Sequence, residues 1–149
     1  MDWSQIFAIA NTAVLAPWAA LILLPRGPKL HALVFYLGIG LLALAYSVLL
    51  IGLVINGGGI DVGAMGSLEG VMGLMASPAG VTVGWIHYLA FDLFVGQWIS
   101  KDADHKQVSR LVQAPVLLLT LLAGPFGLFV WMVIREGRAR RMAKTANRA

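Results

Sequence analysis

Long apolar stretches, each close to the length of one membrane crossing, are the feature that most restricts how this chain can fold. Bilayer hydrocarbon is about 30 Å thick, and a helix needs about 20 mainly apolar residues to cross it. Hydrophobic residues make up 59% of the chain and charged residues 12%, about half the charge of a soluble domain. The sequence therefore predicts an all-α, polytopic membrane helix bundle and excludes a water-soluble fold.

Four of these stretches predict long transmembrane helices within one domain, residues 1–149. They cover about residues 6–24, 31–55, 81–100 and 114–134. Prolines, glycines and charged residues separate them, and the segment from Pro25 to Lys29 is the clearest turn. Pro125, which follows Gly124 inside the last stretch, is expected to kink that helix.

A glycine-rich segment at about residues 63–76 is short for a full crossing, so we expect it to be embedded or interfacial. Asn56 to Gly59 ends the preceding helix, and Asp61 is assigned to a turn. Four crossings divide the 11 Lys and Arg residues six against five, whereas a fifth crossing by this segment divides them eight against three. The positive-inside rule favours the second division, but length favours four long spans, which we adopt.

The basic tail, residues 135–149, contains six of the 11 Lys and Arg residues. Such a cluster directly after an apolar helix is typical of an anchor on anionic membrane lipids, so nucleic acid is not an expected partner. The chain has no cysteine, which excludes disulfides and thiolate sites. The first apolar stretch lacks the flanks of a cleaved signal peptide and is expected to be retained as a span.

The helix predicted at about residues 81–100 carries the most informative polar side chains. An ionisable group at bilayer depth costs about 2.5 to 3.5 kcal/mol on insertion scales, so Asp92 indicates a function or a polar partner. Tyr88 lies one turn before Asp92 on the same face, with Trp85 three residues earlier, and both are predicted to bind substrate. His87 points about 140° away from Asp92. We predict that His87 and Asp92 are catalytic, as an acid/base pair or as ligands of a metal.

Two further candidates lie outside this helix. Glu69, in the glycine-rich segment, is predicted to bind substrate. Together with His31 it could also join His87 and Asp92 in a metal site, although nothing in the spacing identifies the metal.

Other polar and aromatic residues have simpler interpretations. Asp102, Asp104 and His105 are more typical of a hydrophilic loop than of a metal site. Most of the remaining tryptophans are expected to be interfacial anchors, namely Trp3, Trp18, Trp98 and Trp131. With few charges and many apolar side chains, the chain favours a lipid-soluble small molecule as its partner.

One stretch of the polar helix, Gly84 to Gly96, reads Gly-Trp-Ile-His-Tyr-Leu-Ala-Phe-Asp-Leu-Phe-Val-Gly. With Trp98, Asp102 and the later Gly-Pro-Phe-Gly of residues 124–127, it resembles the neoxanthin synthase-like family, named from the plant abscisic-acid-deficiency locus. The resemblance covers about residue 5 to Arg135. It implies a four-helix membrane protein which, in plants, is needed to convert violaxanthin into neoxanthin.

That reaction opens an epoxide and creates an allene without net oxidation, so the resemblance implies an isomerase without a redox cofactor. It needs an acid and a base, roles offered to His87 and Asp92. Since no plant-type transit peptide precedes the first span, we expect a relative in a bacterial inner membrane, acting on a carotenoid or related isoprenoid.

Three alternatives stay open: a non-enzymatic carotenoid- or lipid-binding helper, a metal-dependent carotenoid oxygenase, and a small transporter. Glycine-lined helix faces would also allow a homo-oligomer.

Overall fold

The computed structural model describes residues 2–56 and 62–146, and within them it contains helices and no strand. The glycine joint at residues 57–59 and Asp61 lie outside the described residues. The helices are α1 (Trp3–Leu23), α2 (Pro28–Asn56), α3 (Leu68–Leu74), α4 (Pro78–His105) and α5 (Arg110–Ala146). All except the seven-residue α3 are long and apolar enough to cross a membrane, which confirms an all-α bundle with four long apolar helices.

Local sequence explains where these helices begin. The carboxylate of Asp2 accepts hydrogen bonds from the first N–H groups of α1, and the hydroxyls of Ser67 and Ser77 do the same for α3 and α4. Pro28 and Pro78 occupy first-turn positions, where a missing N–H costs nothing. Residues Val34–Gly40 of α2 form a π-helical segment, so this helix is locally wider than an α-helix.

Helix α4 is the central helix and packs against α1, α2 and α5. It packs tightly against α1 at Gly96, where an added Cβ would lie 2.4 Å from the indole ring of Trp18. Trp18 is 1% exposed and Trp131, in α5, is 0% exposed. The prediction that these two tryptophans are interfacial anchors is therefore wrong, because Trp18 packs against Gly96 between helices and the buried Trp131 donates a hydrogen bond to Asp102 of α4 (3.1 Å).

Helix α5 folds back on itself at Ala123. This residue has non-helical torsion angles (φ −154°, ψ 64°) immediately before Gly124 and Pro125, which confirms the predicted kink. On either side of the turn, an added Cβ at Gly127 would lie 2.4 Å from the backbone nitrogen of Thr120. In a straight helix these two residues would be about 10 Å apart along the axis, so the bend is a full reversal.

Contacts with the end of α4 confirm the reversal. Gln113 donates a hydrogen bond to Asp104 (3.1 Å), and Arg135 donates one to Asp102 (2.8 Å). A straight helix would separate Gln113 from Arg135 by about 33 Å, yet both reach the last turn of one helix. The two halves are termed the outbound arm (residues 110–122) and the return arm (residues 124–146).

The expected loop at Asp102, Asp104 and His105 is instead the end of α4, because its two acids are engaged in ion pairs that stabilise the helical turn. Asp104 pairs with Arg26 (3.0 Å), and Asp102 with Lys106 (2.7 Å) as well as with Arg135. These contacts bring the α1–α2 joint, the α4–α5 joint and the return arm to one face of the bundle. The other face carries the N-terminus, α3 and the start of α4.

The Lys and Arg residues are distributed unequally between these two faces. Arg148 lies outside the described residues, and the other ten of the 11 Lys and Arg residues lie at the first face, in the joints, in the adjoining ends of α2 and α4, or in the two arms of α5. The path predicts three full crossings, by α1, α2 and α4, and one re-entrant hairpin, α5. It resolves the conflict between charge and length, since the short segment need not cross and the positive-inside rule then assigns the basic face to the cytoplasm.

Cysteine labelling tests this topology, because the chain has no cysteine of its own. Gly73, Ser109 and Gly137 are exposed, and no atom would meet a Cβ at either glycine. In intact cells, a membrane-impermeant maleimide should label Gly73→Cys but not Ser109→Cys or Gly137→Cys, and all three should react after lysis. Labelling of Gly137→Cys together with Gly73→Cys would instead mean that α5 crosses the membrane completely.

Candidate functional site

The carboxyl group of Asp92 lies against the turn of the α5 hairpin. A Cβ added to Gly124 would be 1.9 Å from Oδ1 and 2.8 Å from Oδ2 of Asp92, so only glycine leaves room for the carboxyl there. Asp92 is half-buried, and among the described residues it has no hydrogen-bond or ion-pair partner. It lies near the middle of α4, which is the depth that the hairpin turn reaches.

The turn gives this carboxyl an unusual setting. Ala123 interrupts the helical torsion angles and Pro125 has no N–H, so the regular ladder of backbone hydrogen bonds is broken at this depth. The return arm begins here, and the first N–H groups of a helix carry partial positive charge. Broken helices at membrane depth occur where protein or a cavity surrounds them. The carboxyl of Asp92 therefore lies beside a polarised backbone.

His87 lines a different space, a cavity of about 310 Å³ between α2, α3 and α4. Its imidazole is exposed and packs among aromatic rings, with centroids 4.6 Å from Phe91, 5.4 Å from Tyr46 and 6.1 Å from Tyr88. The side chain of Met75, at the end of α3, closes the cavity against Gly84, where an added Cβ would lie 2.7 Å from the Met75 methyl carbon. The result is a largely apolar cavity with one imidazole.

The two predicted catalytic residues thus face different neighbours. Five residues of helix turn His87 about 140° from Asp92, towards α2 and α3, while Asp92 faces the α5 turn. No hydrogen bond joins them. They could act on one molecule only if that molecule reached around α4 from the cavity to the hairpin turn.

The other predicted residues are dispersed. Tyr88 lines the cavity with His87, whereas Trp85 donates a hydrogen bond to Asn11 of α1 (2.9 Å) and contacts Phe7 with its ring. Glu69 is exposed in the first turn of α3. His31 lies at the opposite face, near the start of α2.

The candidate metal ligands His31, Glu69, His87 and Asp92 consequently do not form one site. Within residues 2–56 and 62–146, no group of three or more His, Asp or Glu side chains is placed to hold a metal ion.

Sequence reasoning missed two contributors to these sites. The sequence assigns Gly124 to a kink and to the family resemblance but not to a site, although a Gly-Pro pair inside an apolar run is the signal of a broken membrane helix. Nothing in the sequence distinguishes Met75, since a methionine in an apolar segment is usually an ordinary core residue.

These features define a class: a small polytopic membrane protein with a re-entrant hairpin, an acid at the hairpin turn and a lipid-accessible aromatic cavity. In a comparison with known families, the family described as ABA DEFICIENT 4-like matches residues 5–131. The chain belongs to this family, which confirms the resemblance noted from its sequence. No curated protein and no solved structure matches it.

The contact between Asp92 and Gly124 predicts the effect of Gly124→Ala. A Cβ at that position collides with the carboxyl and must displace it, so the free energy of unfolding should fall by about 1 to 3 kcal/mol, as for overpacked cores. Thermal unfolding in detergent measures this. Gly137→Ala is the matched control, because nothing lies near its Cβ position.

Adding Asp92→Ala to Gly124→Ala should recover part of the loss, because it removes the colliding oxygens. Equal unfolding midpoints for the wild type and Gly124→Ala would contradict the contact.

Proposed function

We propose that this protein is a membrane enzyme that isomerises a carotenoid or a related isoprenoid lipid. The observation that carries the proposal is the cavity around His87, where a titratable imidazole is exposed among aromatic and thioether side chains. Tyr88 and Met65, on its rim, are each 58% exposed, on a surface that faces lipid in a membrane. A lipid-soluble molecule could enter it sideways without passing through water.

The size of the cavity limits what it would bind. About 310 Å³ is at the low end of ligand pockets, which measure about 300 to 1,000 Å³. It suits the end ring of a carotenoid better than the whole polyene, which would extend along the outside of the bundle. In the conversion that the family resemblance suggests, the epoxide is on such an end ring.

The chemistry needs one acid and one base. An acid protonates the epoxide oxygen as the carbon–oxygen bond breaks, and a base removes a hydrogen from the polyene so that an allene and a hydroxyl result. One proton enters and one leaves, so no oxidant or reductant is consumed. His87 is the group at the cavity, and Asp92 is the second titratable group on the same helix. The acid and base roles are not divided between these two residues.

Pigment analysis tests the proposal. The wild type and the His87→Ala and Asp92→Asn variants are expressed in bacterial hosts that make carotenoids with or without epoxidised rings. We expect a new isomeric pigment, of unchanged mass, from the wild type in the epoxide-producing host. It should be lost in His87→Ala and reduced at least tenfold in Asp92→Asn. His105→Ala, which changes an exposed histidine at the basic face, is the matched control and should keep full activity.

Other outcomes would reject the isomerase. A pigment that co-purifies unchanged with the wild type and both variants would establish the binding helper. A product with added oxygen, together with bound metal in the purified protein, would establish the oxygenase. Full turnover in Asp92→Asn would remove Asp92 from the mechanism, because the amide keeps the shape of the side chain without its proton.

A further inference from the structure

A second groove, of about 650 Å³, lies at the basic face between the α1–α2 joint and the end of α4. Arg26, His31 and Lys101 line it with their basic side chains, while Asp104 is its acidic residue. Because Asp104 already pairs with Arg26 (3.0 Å), Lys101 leaves the groove with excess positive charge. Among the described residues, Lys101 has no hydrogen-bond or ion-pair partner.

Hydrogen bonds hold the floor of this groove in place. The side chain of Arg26 is 4% exposed and is fixed by three acceptors: the Leu21 carbonyl (2.9 Å), Asp104 and the Gln113 side chain. Burial lowers the pKa of Arg26 and the Asp104 carboxylate opposes that shift, so the guanidinium stays charged. A fixed, buried cation at the base of a groove is a suitable anchor for an anion.

The side chain of His31 is an independent indication that this groove is a binding site. Its Nδ1 is buried and has no hydrogen-bond partner, although its backbone carbonyl accepts one from Gln97 (2.5 Å). Buried polar atoms are normally paired, so this residue, which lines the groove, keeps hydrogen-bonding capacity that no described residue satisfies. Gly27, which precedes α2 and lines the groove, has no side chain to cap the first N–H groups of that helix.

The groove continues towards lipid. Phe35 and Tyr36 form its outer wall and are 41% and 68% exposed on the side of α2. Aromatic side chains at this level are typical of the boundary between headgroups and acyl chains. A ligand with a charged head and apolar chains would fit both the charged inner part of the groove and its aromatic outer wall. A free phosphate would contact only the inner part.

We propose that this groove binds the phosphate headgroup of one anionic phospholipid from the cytoplasmic leaflet, with Lys101 and His31 as direct ligands and Arg26 as the fixed positive floor. Basic pockets between membrane helices on the cytoplasmic side are known to take such headgroups. The site is separate from the cavity around His87 and does not depend on the isomerase.

Native mass spectrometry of the detergent-purified protein tests the proposal, with dioleoyl phosphatidylglycerol and dioleoyl phosphatidylcholine as probes. We expect a one-to-one complex with the phosphatidylglycerol and much less with the phosphatidylcholine. Lys101→Gln should weaken the apparent Kd at least fivefold, and Lys101→Arg should restore it. Lys144→Gln, which removes one charge from the basic tail, is the matched control and should change it less than twofold.

Several results would overturn it. Equal binding of both lipids, or equal losses in Lys101→Gln and Lys144→Gln, would mean unspecific attraction to the basic face. Displacement of the lipid by millimolar glycerol 3-phosphate would identify a soluble phosphate compound as the ligand. A thermal midpoint of Lys101→Gln within a degree of the wild type separates loss of binding from loss of folding.

Discussion

The arrangement of the last helix depends on the hydrogen bonds and ion pairs that the Asp102 carboxylate makes. This carboxylate accepts hydrogen bonds from Lys106 (2.7 Å), Arg135 (2.8 Å) and the indole of Trp131 (3.1 Å). Trp131 and Arg135 are four residues apart on the return arm, so one carboxylate fixes both the direction and the register of that arm. Arg138 extends the attachment by donating to the carbonyl of Lys106 (3.2 Å). With the arms fixed at the basic face, the turn is held beside Asp92.

Much of this architecture could be predicted from the sequence, because apolar length and turn residues act locally. The four apolar stretches, the turn at Pro25 to Lys29 and the break at Pro125 all follow from local rules. A Gly-Pro pair, however, indicates only that a helix is interrupted. Whether the chain bends by a few tens of degrees or reverses is decided by Asp102 and Trp131, 29 positions apart, and no local pattern contains that contact.

The numbers of Lys and Arg residues on the two sides of the membrane contain information about the path of α5. Four crossings give an almost even division of Lys and Arg, which is improbable for a membrane protein, whereas a fifth crossing gives an uneven one but requires the short segment to span the membrane. Reversal of α5 removes the conflict without asking the short α3 to cross. The candidate site was predictable to the extent that His87 and Asp92 share one helix, but their neighbours were not, since these depend on how α4 is rotated.

That rotation is fixed by close contacts at small residues. Gly96 leaves space for the ring of Trp18, and Gly38 of α2 approaches Leu93 so closely that an added Cβ would lie 3.0 Å from it. Gln97 adds a directional bond to the His31 carbonyl. Turning α4 by a single residue, about 100°, would break all three contacts and remove His87 from its cavity. These close contacts at glycines therefore direct the imidazole of α4 towards its cavity and the carboxyl of α4 towards the hairpin turn.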